Sequence, residues 1–215
     1  MIRIPMLRGS IYFALAISLV LGQAVDTSDR DYWNSKFKDP NTQFNRQPSQ
    51  LLVDVVRNRK PGLAIDLGMG EGRNAIYLAQ HGWQVTGVDL SDVAVAQAKK
   101  RAAALQVNLT AVVDGLDHYD FGKDKWDLIA LFYLHAWYHN VKPESVQRLF
   151  NALKPGGVLV IEGFAGKESF LFQPNELLRD FSQLRILRYE DVEDEADWAP
   201  SRRSHLIRFV GEKTR

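Results

Sequence analysis

Residues 63–91 read LAIDLGMGEGRNAIYLAQHGWQVTGVDLS. A short apolar run meets an acid, Asp66. Three glycines follow at alternate positions, Gly68, Gly70 and Gly72, and a second apolar run ends at another acid, Asp89. A glycine-rich turn from strand into helix lets backbone approach a ligand closely, because no Cβ intervenes. In an open parallel sheet, ligands lie at the carboxyl ends of the strands, where the strand order reverses. The bend and Asp89 are therefore expected to share one sheet edge.

Outward from this stretch, strand-like and helix-like segments alternate. LAIDLG, QVTGVDL, NLTAVVDG, WDLIALF and VLVIEGF are apolar runs of strand length. Between them lie GRNAIYLAQHG, the alanine-rich SDVAVAQAKKRAAALQ with Ser91 placed as its N-cap, and KPESVQRLFNALKPGG, which Pro-Gly-Gly closes. Upstream, Leu51, Leu52, Val55 and Val56 form one face of a helix entered at Pro48, and Pro61-Gly62 breaks it. Continuously apolar strands separated by helices predict a sheet covered on both faces. The fold class is α/β: a doubly wound, mainly parallel seven-stranded sheet. At its end LRILRYEDV and SHLIRFVGE have no helix between them, so they pair antiparallel. Their connection, EDEADWAPSRR, is expected to be a solvated hairpin tip, with a cation or substrate gate as the minority reading.

The chain of 215 residues suits one domain, and its formal net charge of +1 supplies no field to gather polyanions. With no cysteine, disulfides, thiolate metal sites and cysteine nucleophiles are excluded. Residues 1–25 differ from the rest: Arg3 and Arg8 precede the uncharged IYFALAISLVLG, and Gly22-Gln23-Ala24 offers a small-residue cleavage site. This order fits a signal peptide or signal-anchor leader with membrane contact. Residues 26–60 form a cap and helical segment, and 61–215 the ligand-binding domain. The positive-inside rule would place that domain outside the cytosol. It would be cytoplasmic if the leader does not act.

Spacing narrows the ligand. The dinucleotide fingerprint is G-x-G-x-x-G, whereas this chain has G-x-G-x-G with Arg73 at the third glycine's place. Asp66 at the mouth of the bend would repel a pyrophosphate and suit an ammonium group. Asp89 can accept hydrogen bonds from ribose hydroxyls. S-adenosyl-L-methionine carries both a ribose and an amino acid, and is the expected cofactor.

IDLGMGEGRNAIYLA, VTGVDLS, VVDGLDHYDF, WDLIAL and LKPGGVLVIEGF resemble the successive motifs of class I S-adenosylmethionine-dependent methyltransferases, from about Trp33 to the C-terminus. With WNSKF and FNRQPS upstream, the chain is similar to the bacterial small-molecule branch that includes tellurite-resistance and thiopurine methyltransferases. The resemblance implies that Asp66 and the backbone of Gly68 and Gly70 hold the methionine end, with Gly72 in the same bend and Arg73 and Asn74 shaping the loop. It implies Asp89 on the ribose, Leu90 against the adenine, Asp114 with the Gly115 and Leu116 backbone at the adenine amino group, and Phe132 beside the methionine moiety. Met69 stands where this branch often has cysteine or alanine, and is expected to face the cofactor.

Methyl transfer from a sulfonium is an in-line displacement that depends chiefly on alignment. An acceptor pocket is expected over the cofactor, built from Trp33, Phe37 and Phe44 with Tyr133, His135 and Trp137 of FYLHAWYHN. His135 and Tyr133 are the candidates for a general base. His135 and His139 share a helical face but lack an obvious third ligand, so no metal is expected. The segment after the fourth strand is neither N-P-P-Y nor D-P-P-Y, which by resemblance argues against DNA and protein-amide acceptors. A small-molecule acceptor is expected, and no nucleic acid. The alternatives are an NAD-type oxidoreductase and a non-catalytic S-adenosylmethionine-binding protein. Asp89→Ala should weaken cofactor binding by about 1.5–3 kcal/mol, the scale of hydrogen bonds to a charged group; unchanged affinity in calorimetry would refute the ribose assignment.

Overall fold

The computed structural model describes residues 25–42, 44–198 and 203–214. Apart from Val25, the leader expected over 1–25 lies outside the described residues. Among the described residues, no helix is long and apolar enough to cross a membrane.

Five strands with near-continuous apolar sequence, β1 (Leu63–Leu67), β2 (Gln84–Asp89), β3 (Leu109–Val113), β4 (Trp126–Phe132) and β5 (Leu153–Phe164), pair in parallel. With β6 (Leu184–Glu195) and β7 (Arg203–Lys213) they form one sheet of order β3-β2-β1-β4-β5-β7-β6. β7 inserts antiparallel between β5 and β6, as two strands without a crossover helix require. The chain winds outward from β1 through β2 and β3, then returns to start β4 on the other side of β1. The strand order therefore reverses between β1 and β4, which is where a doubly wound sheet opens its crevice.

Alternation along the strands explains why both faces are buried. Ile65, Leu67, Ile129, Leu131, Leu159 and Ile161 share a core with Tyr138 of α5 (His135–Asn140), Leu149 of α6 (Glu144–Ala152) and Leu177 of α7 (Glu176–Asp180). Ala64, Leu128, Ala130, Val158 and Val160 point the opposite way. They pack on α2 (Gln50–Val56) through Leu51, Leu52 and Val56, on α3 (Arg73–Gln80) through Ala75 and Leu78, and on α4 (Asp92–Ala104) through Val95 and Ala98. Ser91 caps α4, its hydroxyl accepting from the Ala94 N–H at 3.1 Å. The remaining helix, α1 (Val25–Lys38), lies on α4 rather than on the sheet. Asn34 joins the two, accepting from the Ser91 hydroxyl at 2.6 Å and donating to Asp92 at 2.7 Å.

Three local expectations are corrected. The helix around Leu51 is shorter than the stretch between Pro48 and Pro61, since it ends at Val56 and the buried Ser49 already stands outside it. β5 begins at Leu153, before Pro-Gly-Gly rather than after it. Its pairing jumps from Trp126↔Leu153 to Leu128↔Val158, so the glycines form a bulge within the strand. The β6–β7 connection is not a simple solvated tip: Ala196 is buried, and Asp197 and Trp198 turn inward onto the carboxyl edge of the sheet.

A Cβ on Gly157 would lie 2.6 Å from the Trp126 carbonyl oxygen and 2.9 Å from that of Lys154. Backbone cannot yield as a side-chain tip does. Gly157→Ala should therefore destabilise the fold by about 1–3 kcal/mol, the usual cost of overpacking, read as a lower midpoint in chemical denaturation; a neutral result would show that the bulge relaxes freely.

Candidate active site

The bend between β1 and α3 needs the left-handed backbone region at every second residue. Gly68, Gly70 and Gly72 have φ of 64°, 55° and 78°, values that L side chains resist. A Cβ on Gly68 would also meet Leu134 at 2.7 Å. Asp89 braces the bend from the next strand. Its Oδ2 accepts from the Gly70 N–H and its Oδ1 from the Ser91 N–H, both at 2.8 Å. The Asp114 N–H donates to the Asp89 carbonyl at 3.1 Å, which brings the end of β3 alongside. The bend and Asp89 thus share one edge with Asp66, as expected from their spacing, and Leu90 and Asp114 lie beside them.

Some neighbours are placed otherwise. Met69 does not face the crevice; it is buried in the core against Gly87, where a Cβ would fall on its sulfur. The Gly115 carbonyl accepts from the N–H groups of His118 and Tyr119. Leu116 turns its side chain into the core and its carbonyl to Arg148 at 2.8 Å. Phe132 is buried and registers against Glu162 of β5.

Asp66 is the unusual group. Its side chain is buried, one carboxylate oxygen has no hydrogen-bond partner, and the backbone N–H of Ala75 serves the carboxylate. Burial pushes its pKa up to about 7, against the pull of the Arg73 guanidinium and the Ala75 N–H and helped by the nearby Asp89 carboxylate. An orphaned carboxylate oxygen beside a bare backbone corner suits an ammonium group, so the residues present fit the amino-acid end of the expected cofactor. Arg73 and Asn74 spend side-chain hydrogen bonds within the protein. Arg73 donates to Asp197 at 2.7 Å and to the Gln47 carbonyl at 3.2 Å, and Asn74 accepts from the Ser49 N–H at 2.9 Å. They tie the N-terminal segment and the hairpin to the bend.

On the β4 side, Tyr133 adopts φ 58°, uncommon for a residue with a bulky side chain. Its N–H donates to the Glu162 carbonyl at 2.7 Å and its hydroxyl to Glu162 Oε1 at 2.5 Å, while Asp197 Oδ1 lies 3.1 Å from that hydroxyl. Glu162 Oε2 accepts from Arg208 Nε at 2.7 Å. Burial and the two carboxylates push the Tyr133 phenol well above its ordinary range, so it works as a hydroxyl and not as a phenolate. Ring contacts continue from Tyr133 to Trp198 at 5.8 Å, then Phe44 at 6.1 Å, Phe37 at 4.6 Å and Trp33 at 6.1 Å. Three of the expected pocket aromatics therefore do meet Tyr133, through a tryptophan that the spacing did not nominate.

His135 is buried among Phe164, Phe170 and Phe172, with Nδ1 unpartnered. Burial, with the neighbouring His139, lowers its pKa to about 4, which makes it a weak base at neutral pH. His139 turns instead to the Glu176 carboxylate at 3.0 Å. Among the described residues, no group of His, Cys, Asp or Glu could hold a metal. Trp137 stands apart from the aromatic row: its indole N–H donates to Asp117 at 2.7 Å and its ring packs on Phe121. The sequence reading did not single out Glu162, Phe164, Asp197 or Trp198. Glu162 had a signal as the one acid inside the otherwise apolar run VLVIEGF, and Asp197 and Trp198 fall in EDEADWAPSRR, where a gate was only the minority reading.

Comparison with known proteins agrees with this fold. Residues 64–157 match a family model described as a methyltransferase domain. Over 121 residues the chain is 34% identical to the ribosomal RNA small subunit methyltransferase C of Alcanivorax borkumensis, covering 52% of this chain and 36% of that protein. The fold is shared with TehB from Haemophilus influenzae (TM-score 0.66, 18% identity, 86% of this chain and 67% of that one). It is shared also with the magnesium protoporphyrin IX methyltransferase of Synechocystis with bound SAM (TM-score 0.62, 19% identity, 88% and 93%). The chain spans about half or less of the length of the first curated relatives it matches.

The raised pKa of Asp66 has a sign in stability. The unfolded carboxyl ionises near its ordinary value of 3.8, whereas the folded one keeps its proton up to about pH 7. Without cofactor, stability should fall as pH rises through that window, because the folded state binds the extra proton. Asp66→Asn should remove that fall and raise the melting temperature at pH 8 while weakening cofactor binding. Thermal denaturation across pH 4–8 checks it, and a variant less stable than the parent at pH 8 contradicts it.

Proposed function

We propose that this chain, which carries a class I methyltransferase domain, uses S-adenosyl-L-methionine to methylate a small-molecule acceptor. The observation that carries this is the unpartnered, buried oxygen of Asp66 at the mouth of a side-chain-free bend. When bound, the cofactor supplies a methyl group already activated by its sulfonium. Asp66 would hold the ammonium, the Gly68–Gly70 backbone the neighbouring carbons, Asp89 the ribose through the lone pairs its backbone bonds leave free, and Leu90 and Asp114 the adenine. These residues fix the donor, while Tyr133, Phe44 and Trp198 exclude water and limit how an acceptor approaches. Aromatic faces also favour a nearby cation.

Several features support a small acceptor. The aromatic row is compact, and the net charge of +1 supplies no overall field to gather a polyanion. One relative bears the name of a ribosomal RNA methyltransferase, so RNA is the acceptor to test against. The nicotinamide alternative finds no support in the matched family.

Titration calorimetry with S-adenosylhomocysteine and with NAD separates the cofactor readings: only the first should bind. A panel of thiols, selenite, tellurite, phenols, amines and a ribosomal RNA transcript then tests turnover. Binding without turnover of any member would favour the non-catalytic alternative, and methylation of the transcript alone would replace the small-molecule reading.

A further inference from the structure

Five side chains from five parts of the fold form one line around the buried Glu162, the rest partly buried: Arg73 of α3, Asp197 of the hairpin, Tyr133 after β4, Glu162 of β5 and Arg208 of β7. At its centre three oxygens meet, Asp197 Oδ1, Tyr133 Oη and Glu162 Oε1, with separations of 3.1 and 2.5 Å. A phenol has one proton to donate. With both carboxylates ionised it serves Glu162, and the contact between Oη and Asp197 then lacks a proton. The centre has room for one more proton than it holds.

Its surroundings are poised for that uptake. Arg73 and Arg208 balance the two carboxylates, and Glu190 and Asp194 of β6 engage Arg208 from its far side. Asp66 lies beyond Arg73. Burial and the neighbouring Asp197 raise Glu162, against the pull of Tyr133 and Arg208. The centre also sits where chemistry is expected. Leu67, which precedes the bend, pairs with Leu131, two residues before Tyr133, and Gly68 abuts Leu134. Backbone held at φ 58° for Tyr133 is the kind of local strain that functional sites retain. His135, the other base candidate, is too weakly basic and is enclosed by phenylalanine rings.

We infer that Tyr133, with Glu162 and Asp197 behind it, receives the proton that the acceptor loses, so that the acceptor is a neutral X–H nucleophile, a hydroxyl or an amine bearing hydrogen. The inference rests on the methyltransferase reading and deepens it. As a lone pair on X forms the bond to the methyl carbon, the carbon–sulfur pair returns to sulfur. The X–H proton passes to Oη while the phenolic proton moves to a carboxylate. The phenol is unchanged, one carboxylate becomes a carboxylic acid, and water later removes the proton. Tyr133 touches the acceptor; Glu162 and Asp197 act through it.

Matched acceptors test this: phenol and aniline against thioanisole and N,N-dimethylaniline, which are nucleophiles with no proton to lose. The protein should methylate phenol or aniline and neither proton-free compound. Glu162→Gln should lower kcat on the X–H acceptor by about 10²-fold, the scale of general-base assistance, and flatten its rise with pH. KM and S-adenosylhomocysteine affinity should stay within about threefold. Glu162→Asp, which keeps a carboxylate, should recover part of the rate. Tyr133→Phe leaves the charged pairs in place and should show the same loss should Glu162→Gln fold poorly. In infrared difference spectra, a protonated-carboxyl stretch persisting where exposed acids are ionised should disappear or shift in Glu162→Gln and survive in Asp66→Asn. Turnover of the proton-free pair as readily as the X–H pair, turnover of none of the four, or an unchanged pH profile in both variants would overturn the inference. Failure of the parent protein to bind S-adenosylhomocysteine would instead sink the methyltransferase reading beneath it.

Discussion

The hydrogen bonds from the Gly70 and Ser91 N–H groups to one carboxylate, Asp89, hold the working edge of this protein together. They join the bend after β1 to the turn after β2, and they require a backbone path that only glycine follows easily. Because Asp89 is buried, these bonds are strengthened by a poor dielectric, and the same burial raises its pKa against them. Everything above the sheet edge is placed relative to this junction. α3 starts from its far side, and α4 starts from Ser91, whose hydroxyl also receives α1 through Asn34.

A second constraint is electrostatic. The carboxyl edge buries Asp66, Glu162 and Asp89, and unpaired charge there would be very costly. Glu162 is compensated by Arg208, and Asp197 by Arg73. Asp66 alone keeps an oxygen without a partner. The acids paired with arginine join parts of the fold to one another, whereas Asp66 is answered only by the Ala75 N–H and the field of Arg73.

The hairpin and the N-terminal segment meet over the bend because each supplies what the other lacks. The Asp197 carbonyl accepts from Asn45 at 2.6 Å, its carboxylate takes Arg73, and Trp198 packs between Phe44 and Tyr133. A charged connection that composition alone would leave in water is drawn inward by one tryptophan and one ion pair. The aromatic side of the crevice is thereby made from elements far apart in the chain, and the glycine bend with Asp89 from a single βαβ unit.

That division explains what could be read from residues alone. The strand–helix alternation, the glycine bend, the acids Asp66 and Asp89 and the antiparallel end are local patterns, set by period, by backbone sterics and by loop length, and sequence by itself determined them. Tertiary structure decided that Met69 faces the core, that Trp137 leaves the aromatic row, that His135 is buried beyond use as a strong base, and that Glu162, Asp197 and Trp198 meet at Tyr133. Such properties depend on which distant groups arrive at the same place. Hydrogen bonding and desolvation act through space over a few ångströms, and Tyr133 and Asp197 are that close in a fold where β7 lies between β5 and β6.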